Sequence, residues 1–208
     1  MARAVSAGGC FPLGRIRRFC AVNPKEESET PVEFRKTTEC EIDRIMAILM
    51  DGKAALGALG IDQWQGPGYP ERSIVAADVA RGESYAVEDA PDHIAATAMV
   101  SFSGEPDYDE IEGAWLTDGT SSAPSYGVVH RVAVGADSLG RGAARFILES
   151  AERLAREKGA RSVRVDTHPG NVPMLTLVAS CGFTECGIIR IKHADGGVPE
   201  RVAFEKLV

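Results

Sequence analysis

The chain has no long apolar run: nothing in its 208 residues approaches the ~20 consecutive apolar residues that a membrane helix needs. It has no paired cysteines either. The five present (Cys10, Cys20, Cys40, Cys181, Cys186) are odd in number and nowhere form C-x-x-C, which indicates neither a disulfide framework nor a zinc site. Each reads as small semi-apolar filler, no metal is expected, and a reducing cytoplasm is the expected compartment. Positive charge is in deficit: 23 Lys and Arg stand against 30 Asp and Glu, a formal net charge of -7. That argues against non-specific binding to nucleic acid or to an anionic membrane. Internal repeats, low-complexity tracts and a signal-peptide core are also missing.

What is there is an ordinary globular composition, 44% hydrophobic and 25% charged, in a length that suits one domain with an appendage. Residues 1–30 mix Arg3, Arg15, Arg17 and Arg18 with glycines and the acidic run Glu26-Glu27-Ser28-Glu29. They read either as a loosely packed N-terminal extension or as the product of a mis-set start codon, which leaves residues 31–208 for the folded domain.

Periodicity then lays out the elements. Residues 32–35 alternate like a strand. Thr37 or Thr38 caps a helix, with Glu41 placed for a capping box, and Ile42, Ile45, Met46, Leu49 and Met50 form its apolar stripe. Residues 61–70, I-D-Q-W-Q-G-P-G-Y-P, cannot be regular structure. Their aromatics Trp64 and Tyr69 either line a substrate cleft or cover the edge of the core. A helix over 71–82 and strands over 84–88 and 94–102 follow, with His93 in the turn between the strands. Residues 104–125 are acidic and serine-rich, with Trp115 and Leu116 as the apolar anchor, and read as a substrate-side loop or a mobile insertion.

Residues 132–148, V-A-V-G-A-D-S-L-G-R-G-A-A-R-F-I-L, are the most informative stretch. An apolar strand (126–134) ends, a polar turn follows, and Gly140 and Gly142 open into a helix over 143–158. The unpaired N–H groups and partial positive charge of a helix start make an anion site, most often for phosphate. The turn has no Lys-Ser/Thr of a P-loop, and no acidic ribose-binding residue stands at Rossmann spacing. A strand over 162–166, a turn at 167–171, a short helix beginning near Pro173 and two closing strands over 183–191 and 201–207 complete a mixed α/β layout. The closing strands are joined by the turn signal A-D-G-G-V-P.

Two segments carry a resemblance. Val132-Ala133-Val134 followed by Leu139-Gly140-Arg141-Gly142-Ala143-Ala144, and Asn171 through Leu177 and Val178 to Gly182-Phe183, resemble the two cofactor signatures of the GCN5-related N-acetyltransferases, the GNAT superfamily. The resemblance implies an α/β (α+β) fold whose mixed central sheet has two splayed parallel strands and flanking helices. It implies acetyl-CoA, with the pyrophosphate on the backbone of residues 139–144, the pantetheine arm along residues 132–134, and a polar contact from Asn171. The implied reaction is acetyl transfer to a primary amine, on a small molecule or a protein, by direct attack.

Two positions depart from the family pattern. Leu139 stands where Gln or Arg is usual, and Val178 stands where many members place the tyrosine that protonates the leaving thiolate. These departures keep a second reading open, a non-catalytic acyl-CoA-binding module. For the base, His130 is the candidate, since histidine's pKa starts closest to neutral and the residue alternates along the strand with Val128, Val132 and Val134. A hydrogen-bonded core histidine is the other reading of it. His168, with Asp166, ends the second parallel strand and either faces the cleft or braces the turn before Asn171. Asn171 is also a natural helix N-cap. Glu112 and Asp109 are fallback bases or ammonium-binding groups, or simply solvated acids. Cys181 and Cys186 have no partner histidine and are not expected as nucleophiles. The C-terminal hairpin offers an edge through which a homodimer could pair.

Overall fold

The computed structural model describes residues 32–192 and 199–208. The expected N-terminal extension, and all of the 194–199 turn but Pro199, lie outside them. Among the described residues, no helix is long and apolar enough to cross a membrane.

The helices arise where the apolar spacing puts them. α1 (Ile42–Ala58) follows a 3-10 turn at Glu39–Glu41, and the Glu41 carboxylate accepts the Thr38 N–H at 2.7 Å, as a capping box requires. α2 (Arg72–Arg81) stops at Gly82, whose φ of 67° is left-handed. α3 (Ala143–Glu157) and α4 (Val172–Ser180) follow, the latter with Pro173 in its first turn, where the missing N–H costs nothing.

Among the described residues, eight strands form one sheet: β1 (Glu33–Lys36), β2 (Ser84–Ala90), β3 (His93–Ser101), β4 (Ile111–Gly113), β5 (Tyr126–Val134), β6 (Ser162–Thr167), β7 (Thr184–Arg190) and β8 (Glu200–Leu207). Their order is β1-β2-β3-β5-β6-β8-β7-β4. Among these described strands β5 and β6 run parallel and every other neighbour pair is antiparallel. The mixed sheet with one parallel pair is the architecture expected. β4 is not: three residues on a sheet edge are too short to show a period, and the sequence reads them as loop. His93 also differs from expectation. It opens β3 and holds Asp89 with one ring nitrogen, at 2.5 Å.

Alternation along the strands divides the core between two faces. Tyr85 and Val87 of β2 pack with Ile147, Leu148 and Ala151 of α3 and with Val178 of α4. Ala86 between them packs on the opposite face with Ile45, Ile48 and Leu49 of α1 and Val75 of α2. In β5 the alternation breaks. Thr97 of β3 pairs with Ala133 but Met99 pairs with His130, so β5 carries one extra residue there, and Arg131 takes a φ of 51°. The bulge changes which side chains share a face. Val132 and Val134 join Val129 on the α3 side, whereas Tyr126 and Val128 pack with Tyr108 in a separate cluster. The expected alternation of His130 with Val132 and Val134 is therefore corrected. The imidazole lies on the Tyr108 side, its ring centroid 5.9 Å from that of Tyr108.

The long segment between β3 and β5 is packed on the sheet by a buried ion pair. Arg164 on β6 and Glu205 on β8 face each other in register, at 0% side-chain exposure each and 3.1 Å apart. The guanidinium lies over the rings of Trp115 (4.2 Å) and Tyr126 (3.8 Å), so it meets π faces instead of water. Glu205 accepts from the N–H groups of Leu116 and Thr117 and from the hydroxyls of Thr117 and Ser162. Every charge here is paired, which a buried ion pair needs to persist.

Candidate functional site

β5 and β6 pair through four residues only, Tyr126 to Val129 against Ser162 to Val165. Beyond Val129 the two strands part, and a cavity of roughly 620 Å³ opens between them. Its lining includes Val132, Ala133 and Val134 of β5, then Leu139, Ala144 and Asn171. Gly140, Arg141, Gly142 and Ala143 make the turn between Leu139 and Ala144 and are not themselves part of that lining. Gly140 (φ 76°) and Gly142 (φ 85°) are left-handed, and a Cβ on either would meet nothing within 4 Å. They answer to backbone conformation, and they leave the outer face of the turn bare. The helix ladder begins with Phe146 N–H donating to the Gly142 carbonyl at 3.0 Å, so the amides before it have no helical partner. A bare turn ending in unpaired amides fits a pyrophosphate.

The turn is fixed from several sides. The Ala136 N–H donates to Asp51 of α1 at 2.9 Å, and Arg44 donates to the Ile94 carbonyl at 2.8 Å and to Asp137 at 3.2 Å. Arg145 reaches away from the turn to the Ser180 hydroxyl at 2.8 Å, tying α3 to the end of α4. The Arg141 side chain is 65% exposed. Asn171 caps α4, its side-chain oxygen accepting the Met174 N–H at 3.2 Å, and also lines the cavity, so both expected roles are compatible.

At the other end, side chains dominate. A 3-10 turn at Pro106–Tyr108 brings Glu105 and Asp107 to the cavity beside His130. His130 Nε2 lies 3.0 Å from Glu105 Oε2, and Nδ1 lies 3.5 Å from Asp166 Oδ1. Asp166 in turn accepts the Tyr108 hydroxyl at 2.8 Å. Burial alone would raise the Glu105 carboxyl, but the hydrogen bond and charge of His130 outweigh it and hold the pKa below the ordinary value. Tyr108 is pushed well above the usual phenol range by burial and by the Asp166 charge, so it stays a donor. Asp107 is raised by burial, against one backbone donor, Lys192 N–H, at 3.3 Å. An imidazole between two carboxylates, in a cavity that Asp107, Arg131 and Arg201 also line, is suited to move a proton.

The remaining candidates fall in different places. Trp64 and Tyr69 line the cavity, and Trp64 also packs against α1. Lys53 holds that loop by donating to the Tyr69 carbonyl at 2.6 Å. His168 does not join the cavity lining. Its Nδ1 accepts the Gly170 N–H at 2.9 Å and its Nε2 lies 3.2 Å from Asp62, the geometry of a turn brace. Glu112 sits on edge strand β4, 64% exposed and ion-paired with Arg190, away from the lining. Asp109 accepts the Ser121 N–H and hydroxyl, at 2.7 and 2.6 Å. Val178 is fully buried against α3, and Leu177 takes the cavity side of α4. Sequence reasoning passed over Glu105, Asp107 and Arg201, all cavity-lining, and noted Asp166 only in passing. No local signal distinguishes Glu105 from the other acids of its segment.

Comparison with known proteins bears on the family and the fold. The model of the acetyltransferase (GNAT) family matches residues 60–183. No curated relative matches the chain by sequence. Among solved structures, a GNAT-family acetyltransferase from Streptococcus agalactiae superposes with a TM-score of 0.74 at 30% identity, covering 86% of this chain and 96% of that one. A Bacillus subtilis acetyltransferase in complex with CoA superposes at TM-score 0.58 and 16% identity, covering 86% and 99%. A ribosomal-protein-alanine N-acetyltransferase from Brucella melitensis does so at 0.60 and 16%, covering 85% and 99%.

Proposed function

Because the chain belongs to the GNAT acetyltransferase family, we propose that it is an N-acetyltransferase that moves the acetyl group of acetyl-CoA to a primary amine by direct attack. One observation carries the reading: Leu139 and Ala144, which flank the glycine turn, line the same cavity as the Glu105–His130 pair. Acetyl-CoA supplies an activated acetyl thioester. The amides of residues 139–144, the free edge of residues 132–134 and Asn171 would hold it, leaving the acid end for the acceptor.

An amine arrives as an ammonium and must lose a proton before it attacks. Glu105, Asp107 and Asp166 favour the cation in the cavity, and His130 takes the proton, directly or through water. Glu105 and Asp166 fix the ring and stabilise the imidazolium that forms. The same proton is then available to the leaving thiol, which removes the need for an acid at position 178. Both a small amine and a protein amine fit this chemistry; the Brucella melitensis neighbour is named for a protein alanine acceptor.

Thiol release from acetyl-CoA across a panel of amines tests the reading. Turnover is expected, and His130→Ala is expected to lower kcat/KM by about 10²- to 10⁴-fold with CoA affinity retained. An unchanged rate in His130→Ala removes the histidine from the mechanism. The second reading, a non-catalytic acyl-CoA-binding module, is favoured by Val178 lying in the core and by the exposed Leu139. Tight CoA binding with no thiol release for any amine would select it.

A further inference from the structure

We propose that Asp78 is a positioning residue: from α2 it holds Arg131 in the left-handed bulge that parts β5 from β6 and opens the cavity. The proposal rests on the acetyl-CoA reading only for what fills that opening.

Arg131 and Val132 together face the single residue Ala98 of β3, and Arg131 takes a φ of 51°. When the first bulge residue is left-handed, glycine is its usual occupant, because only glycine has no Cβ to crowd the carbonyl. An arginine stays there only if something holds it. Its guanidinium is ion-paired with Asp78 Oδ2, and Asp78 Oδ1 accepts Arg81 at 2.6 Å. Asp78 is 2% exposed, so its charge is committed to these two partners.

The bulge decides two features of the site. It moves Val132 and Val134 to the α3 side while His130, just before it, keeps the Tyr108 side of Tyr126 and Val128, and parallel pairing with β6 ends at Val129, next to it. A bulged strand bends and twists more sharply, which is what separates it from its neighbour. The tether thus runs from a helix outside the cavity to the backbone that shapes it.

The tether and the bulge are separable by choosing between alanine and glycine. Asp78→Asn, Asp78→Asn/Arg131→Ala and Asp78→Asn/Arg131→Gly are compared by amide hydrogen exchange over residues 126–134 and by CoA titration. Asp78→Asn should speed exchange at residues 130–134 and weaken CoA binding about tenfold, the scale of one left-handed non-glycine residue. The alanine double variant should be no better. The glycine double variant, which accepts the left-handed backbone without a tether, should return both readouts to within about twofold of wild type. That order reverses the usual one, in which glycine inside a strand weakens it.

The proposal is overturned if the alanine and glycine variants behave alike, or if Asp78→Asn leaves exchange at 130–134 as in wild type. Should the wild type fail to bind CoA, the acetyl-CoA reading falls, and the exchange pattern alone still decides the tether.

Discussion

The glycine turn at residues 139–144 offers backbone, whereas the Glu105–His130–Asp166 end offers side chains from three separate stretches of sequence. The turn needs only two left-handed glycines, a helix start and a few anchors, all but the anchors contiguous in the chain. The acid end needs β5 to carry the histidine, β6 to carry Asp166, and a long insertion folded back to deliver Glu105. A backbone site tolerates changes of side chain but not of φ. A side-chain site depends on everything that holds those side chains in place.

The largest effect should come from the anchor of the acid end. Arg164→Met leaves Glu205 buried without its cation and is expected to cost about 3–5 kcal/mol in urea unfolding. Replacing both partners with apolar residues of similar volume should recover much of it. If Arg164→Met unfolds no more easily than wild type, the insertion is held by something other than the buried pair.

Next comes a change of backbone at the other end. Gly142→Ala places a Cβ on a residue with φ 85° and should cost about 1–2 kcal/mol, read as roughly tenfold weaker CoA binding. By contrast, Leu139→Gln adds one side-chain donor and should tighten binding only a few-fold, the worth of about 0.5–1 kcal/mol. A larger effect from Leu139 than from Gly142 would break the comparison, because it would make the turn a side-chain site.

The smallest effect is a pH dependence confined to the acid end. Glu105 has a depressed pKa in the folded chain, so its contribution to stability is present above the ordinary carboxyl value of 4.5 and is lost as pH falls through the depressed one. The difference in unfolding free energy between wild type and Glu105→Gln should therefore close on acidification. A difference that persists unchanged in strong acid would show that the carboxylate charge contributes nothing.

The same contrast explains how far the sequence could be read. The stripe of α3, the glycine turn and the Asn171 cap are local patterns, and each lies where the spacing puts it. The bulge was invisible because arginine, unlike glycine, gives no sign of a left-handed backbone; that one residue also spoiled the face assignment of Val132 and Val134. Glu105 was hidden among acids that look solvated, since its value comes from a histidine 25 positions away. β4 was too short to show a period, and whether position 177 or 178 of α4 faces the cavity depends on how the helix is rotated against α3.

The four-residue contact between β5 and β6 has one more consequence. It is the seam between two antiparallel blocks, β1-β2-β3-β5 and β6-β8-β7-β4, which among the described residues share no other strand pairing. A ligand lying along the unpaired part of β5 would act as a splice across that seam, joining halves that the chain itself stitches for only part of their length. Occupancy should then make the molecule unfold as a single cooperative unit, with a melting temperature that climbs as the logarithm of ligand concentration.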